Sequence, residues 1–159
     1  MLLAGSCHCG AVRFSLQSRT PHPYMLCYCS ICRKTGGGGG YAINIMGIAE
    51  TLEIEEASAI NIYRARREDG SQGGNRRHFC SLCGSALWCA NPAYGEWMYP
   101  FASAIDTPLP TPPQLVQIME NYRPDWVTAP EGADNAHFGE YPTAGIHDWH
   151  ESRGLLEPE

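Results

Sequence analysis

The chain has 159 residues, which fits one ordinary domain with a sizeable core. Hydrophobic residues make up 43% and charged ones only 18%, which argues against a largely disordered chain. A formal charge of −6 argues against general nucleic-acid or acidic-membrane binding, and no apolar run approaches the roughly 20 residues that span a bilayer.

In chain order, Met1-Leu2-Leu3-Ala4-Gly5-Ser6 lacks a basic region and reads as a poor signal peptide, so a cytoplasmic location is expected. Cys7-His8-Cys9-Gly10 is a first thiol pair. Ala11 to Gln17 then alternates, with Val12, Phe14 and Leu16 on one face, which predicts a half-buried strand. Ser18 to Pro23 predicts a loop, and Tyr24-Met25-Leu26 leads into a second thiol group. Weak alternation over Tyr41–Ile45 and better alternation over Thr51–Glu55 and Ile60–Arg64 predict strands. Asp69-Gly70 and Gly73-Gly74 predict a hairpin tip.

Asn75–Phe79 leads into the third thiol group, and Ala86–Trp88 and Trp97–Tyr99 read as further short strands. Asp106–Pro113 carries four prolines and is expected to be irregular. Leu115–Met119 fits a strand or a helical turn. Thr143 is expected to cap a short helix with Ile146, Trp149 and His150 on one face, stopped by Gly154. Many short strands and almost no long helical pattern predict a mainly β domain.

In a reducing compartment clustered cysteines hold metal more often than they form disulfides. Seven of the eight fall into groups of two, three and two: Cys7 and Cys9; Cys27, Cys29 and Cys32; Cys80 and Cys83. A closed four-ligand zinc and an open three-ligand one account for seven. The natural division joins Cys7, Cys9, Cys80 and Cys83, so that metal binding ties distant parts of the chain together. Spacing also allows Cys7, Cys9, Cys27 and Cys29 on one metal, with Cys32, Cys80 and Cys83 on the other. Cys80-Ser81-Leu82-Cys83-Gly84 is the strongest single zinc signal, because glycine lets backbone amides turn toward thiolates. Cys89 reads as a buried, inert thiol.

The stretch Cys27–Gly40 sets three thiols within six residues, then Arg33 and Lys34, then five glycines. Three soft ligands leave one zinc coordination position for water or substrate. Arg33 and Lys34 are candidates to offset the negative charge of a three-thiolate zinc, and a solvated turn is an equally weighted reading of them. Gly36, Gly37 and Gly38 would let a ligand approach the backbone closely.

Together the blocks Gly5-Ser6-Cys7-His8-Cys9-Gly10-Ala11-Val12, Cys27-Tyr28-Cys29-Ser30-Ile31-Cys32-Arg33-Lys34 and Phe79-Cys80-Ser81-Leu82-Cys83-Gly84-Ser85 resemble the glutathione-dependent formaldehyde-activating enzyme family. That family also contains centromere protein V. The resemblance covers roughly residues 5–127, and the set of motifs is highly specific. It implies an Mss4-like, zinc-containing β fold of short antiparallel sheets, with a zinc-binding domain over 1–130. A C-terminal extension, 131–159, including the short helix, is expected to pack on that domain.

The resemblance also implies two zinc ions, one structural on Cys7, Cys9, Cys80 and Cys83 and one catalytic on Cys27, Cys29 and Cys32. It implies a carbon–sulfur lyase whose partners are a thiol such as glutathione and an aldehyde; the charge and hydropathy given above argue for no nucleic acid and no membrane, and a homodimer is admitted. The chain departs from the family in its glycine run and in its tail. The alternative is a non-catalytic zinc module that binds a protein partner.

Five of the eleven basic residues, Arg64, Arg66, Arg67, Arg76 and Arg77, lie together. They read first as an exposed hairpin and second as a clamp for substrate carboxylates. Among the histidines, His8 is expected to point outward and His78 is a candidate partner of a zinc ligand. Tyr122 and Trp126 read as core aromatics before pocket residues.

Overall fold

The computed structural model describes residues 1–36 and 38–155, so Gly37, one of the expected substrate-contacting glycines, and residues 156–159 lie outside the described residues. Alternation decides the first sheet. In β2 (Arg13–Gln17) Phe14 and Leu16 point into the core while Arg13 and Gln17 face solvent. It pairs antiparallel with β1 (Leu2–Ser6), which buries Leu3, so the opening residues are a strand that the sequence reading left unassigned. Gly5 lies opposite Phe14 in this pair. A Cβ there would come within 2.5 Å of the Ala104 carbonyl oxygen, so the close approach requires glycine.

The third strand of this sheet, β6 (Glu53–Ile54), is shorter than the alternation over Thr51–Glu55 predicts. A 3₁₀ turn at Ala49–Thr51 takes the start of that segment, and Ile54 is exposed. Of the two apolar residues in this alternation, Leu52 packs against the core and Ile54 faces a groove.

Five strands form the second sheet in the order β5 (Gly47–Ile48), β10 (Trp97–Pro100), β9 (Ala86–Ala90), β8 (Arg76–Cys80) and β7 (Ile60–Tyr63). All its pairs are antiparallel. The third sheet has the order β12 (Ala136–His137), β11 (Leu115–Ile118), β3 (Tyr24–Cys27) and β4 (Ala42–Asn44). Here β11 runs parallel to both β3 and β12, which brings residues of the C-terminal extension beside the second thiol group. The main core joins the first two sheets through Leu3, Val12, Phe14, Leu16, Ile45, Leu87, Trp88 and Met98. Phe14 and Trp88 meet with ring centroids 4.9 Å apart.

The short C-terminal helix α2 (Ile146–Glu151) is present, but Thr143 is not its cap. Gly145 precedes it, and the Gly145 amide donates to the Asp148 carboxylate at 2.9 Å. Ile146 and His150 are buried on one face, while Trp149 is half-buried. The fold is mainly β, with short sheets and few short helices, as the strand count requires. Among the described residues, no helix is long and apolar enough to cross a membrane.

Candidate functional site

Two turns of like construction carry the outer cysteines. Cys7 and Cys9 follow β1, where the Gly10 amide donates to the Cys7 carbonyl at 3.0 Å. Cys80 and Cys83 join β8 to β9, where the Gly84 amide donates to the Cys80 carbonyl at 2.8 Å. Both glycines adopt φ of +76°, a conformation that side-chain-bearing residues rarely take. The four sulfurs lie within 4.8 Å of one another. Cys7 Sγ is 3.5 Å from Cys9 Sγ, and Cys9 Sγ is 3.8 Å from Cys80 Sγ. A tetrahedral zinc with bonds of about 2.3 Å holds its sulfurs about 3.8 Å apart, so this donor set fits the ion in number, softness and spacing. All eight cysteines are free thiols.

The middle group is assembled differently. Cys27 ends β3, and Cys29 caps the short helix α1 (Ser30–Thr35), with its sulfur accepting from the Cys32 amide at 3.3 Å. Cys32 lies in the first turn of that helix. The three sulfurs sit within 4.8 Å of one another, and among the described residues no fourth His, Cys, Asp or Glu atom completes the group. Contacts with Cys27 and Cys32 hold the Cys29 thiol far below its ordinary range, while contacts with Cys29 and Cys32, together with burial, push Cys27 up. Three mutually close sulfurs thus resist carrying three charges unless a cation shares them. This is the donor chemistry of a three-thiolate metal site. The geometry forms the outer-pair division of the seven cysteines, and not the one that mixes Cys27 and Cys29 with Cys7 and Cys9.

Behind the cluster, Tyr28 is wholly buried and its hydroxyl donates to Gln117 Oε1 at 2.6 Å. That bond fixes the chain between Cys27 and Cys29. In front of it, β8 and β9 place Arg77 opposite Cys89. Arg77 is only 7% exposed, its Nη2 lies 4.0 Å from Cys32 Sγ, and its Nε has no partner among the described residues. No carboxylate neutralises it among the described residues. Burial works against its charge, and the sulfurs of Cys89 and Cys32 hold the charge in place. The exposed-hairpin reading therefore fits Arg66 and Arg67, which face solvent, but not Arg77.

Two cavities open on the cluster and share Cys29, Asn75, Arg77 and Tyr141. One, of about 420 Å³, is lined by Arg66, Arg67, Gly73, Gly74 and Tyr122. The other, of about 250 Å³, contains all three sulfurs and Cys89. Arg33, Lys34, Gly36 and Gly38 line neither of them. Arg33 and Lys34 fall in the last turn of α1, Gly36 borders a groove beside Cys7, and Gly38 is exposed. The cation at the cluster is thus Arg77, which no local spacing relates to Cys32. Only the chemistry of a basic run beside a cysteine pair hinted at it.

His78 stacks on Trp88 with centroids 4.8 Å apart and lines a groove away from the central cluster, so it supports none of those three cysteines. His8 is exposed, as expected. Trp126 is 67% exposed and not a core residue, while Tyr122 borders the basic cavity. Sequence reasoning missed Asn75 and Tyr141.

The profile of a family described as "Glutathione-dependent formaldehyde-activating enzyme" matches residues 2–121. A protein of Halomonas elongata, named "Putative glutathione-dependent formaldehyde-activating enzyme", is 52% identical over 157 residues, covering 99% of each chain. The crystal structure of a Rhodobacter sphaeroides protein aligns with a TM-score of 0.53 over 69% of this chain and 92% of that one. At 21% identity that likeness shows the fold alone.

Proposed function

The chain belongs to the glutathione-dependent formaldehyde-activating enzyme family, and from that premise we propose a zinc-dependent carbon–sulfur lyase acting on thiol–aldehyde adducts. In this reading Cys27, Cys29 and Cys32 hold a catalytic zinc, and Cys7, Cys9, Cys80 and Cys83 hold a structural one. The observation that carries it is the three-sulfur group, which opens on two cavities with no fourth protein ligand among the described residues. A zinc ion held there lowers the proton affinity of a thiol bound to it, so that the thiolate forms at neutral pH.

The rest of the chemistry belongs to the chain. In the forward direction the S–H bond breaks, a sulfur lone pair forms the C–S bond, and the carbonyl π pair moves to oxygen, which takes up a proton. The reverse sequence cleaves a hemithioacetal. Arg77 offsets the negative charge gathered at the sulfurs. Tyr141 borders both cavities, and partial burial together with the neighbouring cysteine sulfurs pushes its phenol above the ordinary value, so it stays protonated at neutral pH and is placed to give a hydrogen bond to that oxygen. Arg66 and Arg67 supply the fork geometry that pairs with carboxylates, which suits an anionic thiol such as glutathione in the larger cavity. Arg33, Lys34 and Gly36–Gly38 remain a second proposed contact surface, for a part of the thiol outside the cavities. A cytoplasmic setting supplies such a thiol.

The test combines metal analysis with exchange NMR of the glutathione–formaldehyde adduct. Near two zinc ions per chain and accelerated exchange are expected. One tightly held ion per chain with no acceleration would instead identify a non-catalytic zinc module.

A further inference from the structure

The cavity over the three sulfurs exceeds what formaldehyde needs. It encloses about 250 Å³, whereas formaldehyde and the thiol sulfur that attacks it have three heavy atoms between them and fill the space of about three waters at about 30 Å³ each. Room remains for roughly four to six further heavy atoms. The walls tell what kind. Met25, Tyr94, Tyr99, Ile118, Pro142 and Ile146 surround the space, while Asn44, Asn75, Arg77 and the sulfurs are its polar lining. Apolar walls around a few convergent polar groups are the usual form of a small-molecule site. The Tyr94 hydroxyl is already engaged, donating to Asn75 Oδ1 at 2.7 Å, and its ring packs edge-on against Tyr99.

The position of one wall adds to this. Tyr141, Pro142, Ala144, Gly145 and Ile146 follow residue 121, where the family match ends. Tyr141, Ala144 and Gly145 are exposed, and the segment that carries them is anchored on either side. Phe138 donates its amide to the Gln117 carbonyl at 2.8 Å, Ile146 is buried, and the buried His150 ring bonds the His22 carbonyl through Nε2 at 2.6 Å. The charged cavity beside it has the arginines that an anionic thiol requires, which leaves this apolar one to the carbonyl partner.

We infer that the aldehyde partner of this chain carries an apolar substituent of roughly four to six heavy atoms, seated between Ile118, Tyr99 and the Pro142–Ile146 wall. The inference rests on the lyase reading above. The reaction is the one already written, with an alkyl or aryl group in place of one formaldehyde hydrogen.

Two measurements on the zinc-loaded full chain test it separately from that reading. With glutathione as the thiol, kcat/KM by exchange NMR is followed from formaldehyde through ethanal and butanal to hexanal and benzaldehyde. It is expected to rise roughly tenfold or more across the series. A flat series, or one highest at formaldehyde, overturns the inference. Unreactive amides from formamide to hexanamide are titrated by calorimetry, and tighter binding with each added methylene is expected. Ala144→Leu, which fills the wall, is expected to flatten both series. Ile146→Val, a milder change that widens it, is expected to move the optimum to longer chains; if neither variant shifts the length dependence, the inference fails. Amide binding without length dependence, alongside accelerated formaldehyde exchange, sinks the substrate assignment and leaves the lyase reading standing. Length-dependent amide binding without turnover of any aldehyde sinks the lyase reading and supports the cavity's ligand class.

Discussion

Replacing Arg77 with methionine removes one charge from the candidate site while keeping most of the side-chain stem. The guanidinium is 7% exposed and its Nη2 stands 4.0 Å from Cys32 Sγ, with no carboxylate neighbour among the described residues. Two unit charges at that distance attract by about 4 kcal/mol at an effective dielectric of 20. Part of this is offset, because the guanidinium itself no longer has to be desolvated. A net loss of about 2–3 kcal/mol is left, which lowers kcat/KM roughly 30- to 150-fold. Arg77→Lys keeps the charge without the planar fork and is expected to recover part of that loss. The assay is exchange NMR of the glutathione–formaldehyde adduct, with absorbance of the cobalt-substituted protein reporting the sulfur site. A methionine variant within threefold of the native kcat/KM would refute the reasoning.

Cys32→Ser is expected to abolish activity and leave cooperative unfolding, whereas Cys80→Ser removes a ligand that ties the β1–β2 turn to the β8–β9 turn. The second change is expected to lower Tm by about 10 °C, since structural metal binding contributes directly to folding; equal Tm losses in the two variants would contradict this. Tyr28→Phe leaves the wholly buried Gln117 Oε1 without its donor and is expected to cost about 2 kcal/mol, a Tm drop of about 4–8 °C. Combined with Gln117→Met, the two changes should cost less than their sum, and strict additivity would show that the bond is not the cause. Burial lowers the pKa of His22, His78 and His150, so the unfolded chain binds more protons than the native one below the unfolded histidine value. Stability is therefore expected to be fully present above pH ~6.5 and to fall as pH drops below it. Thermal melts from pH 7.5 to 5 at saturating zinc check this, and a level profile counts against it.

The cysteine groups were legible in the sequence because their geometry is local. Cys-x-Cys-Gly and Cys-x-x-Cys-Gly build their own turns around a positive-φ glycine, and Cys27, Cys29 and Cys32 meet over a single turn of chain. Strands such as β2 were legible for a similar reason, since one buried face imposes a period of two. Where a strand lies at an edge or over a groove, that rule weakens: Ile54 and Ile62 alternate as core residues would and are exposed. The helix α1 was not legible, because six residues carry no helical period and its cap is a cysteine.

The sequence by itself determined the three cysteine blocks, and through them the family, while the tertiary structure decided that the two outer pairs share one sulfur group. Tertiary structure alone decided what faces the second group. Arg77 reaches Cys32 across 45 positions because β8 sets it opposite Cys89 and Cys89 packs in one buried cluster with Cys27 and Cys32, and Tyr141 and Ile146 arrive because β12 joins β11 beside β3. Contacts of that kind depend on register and packing between distant strands, and no spacing rule along the chain encodes them.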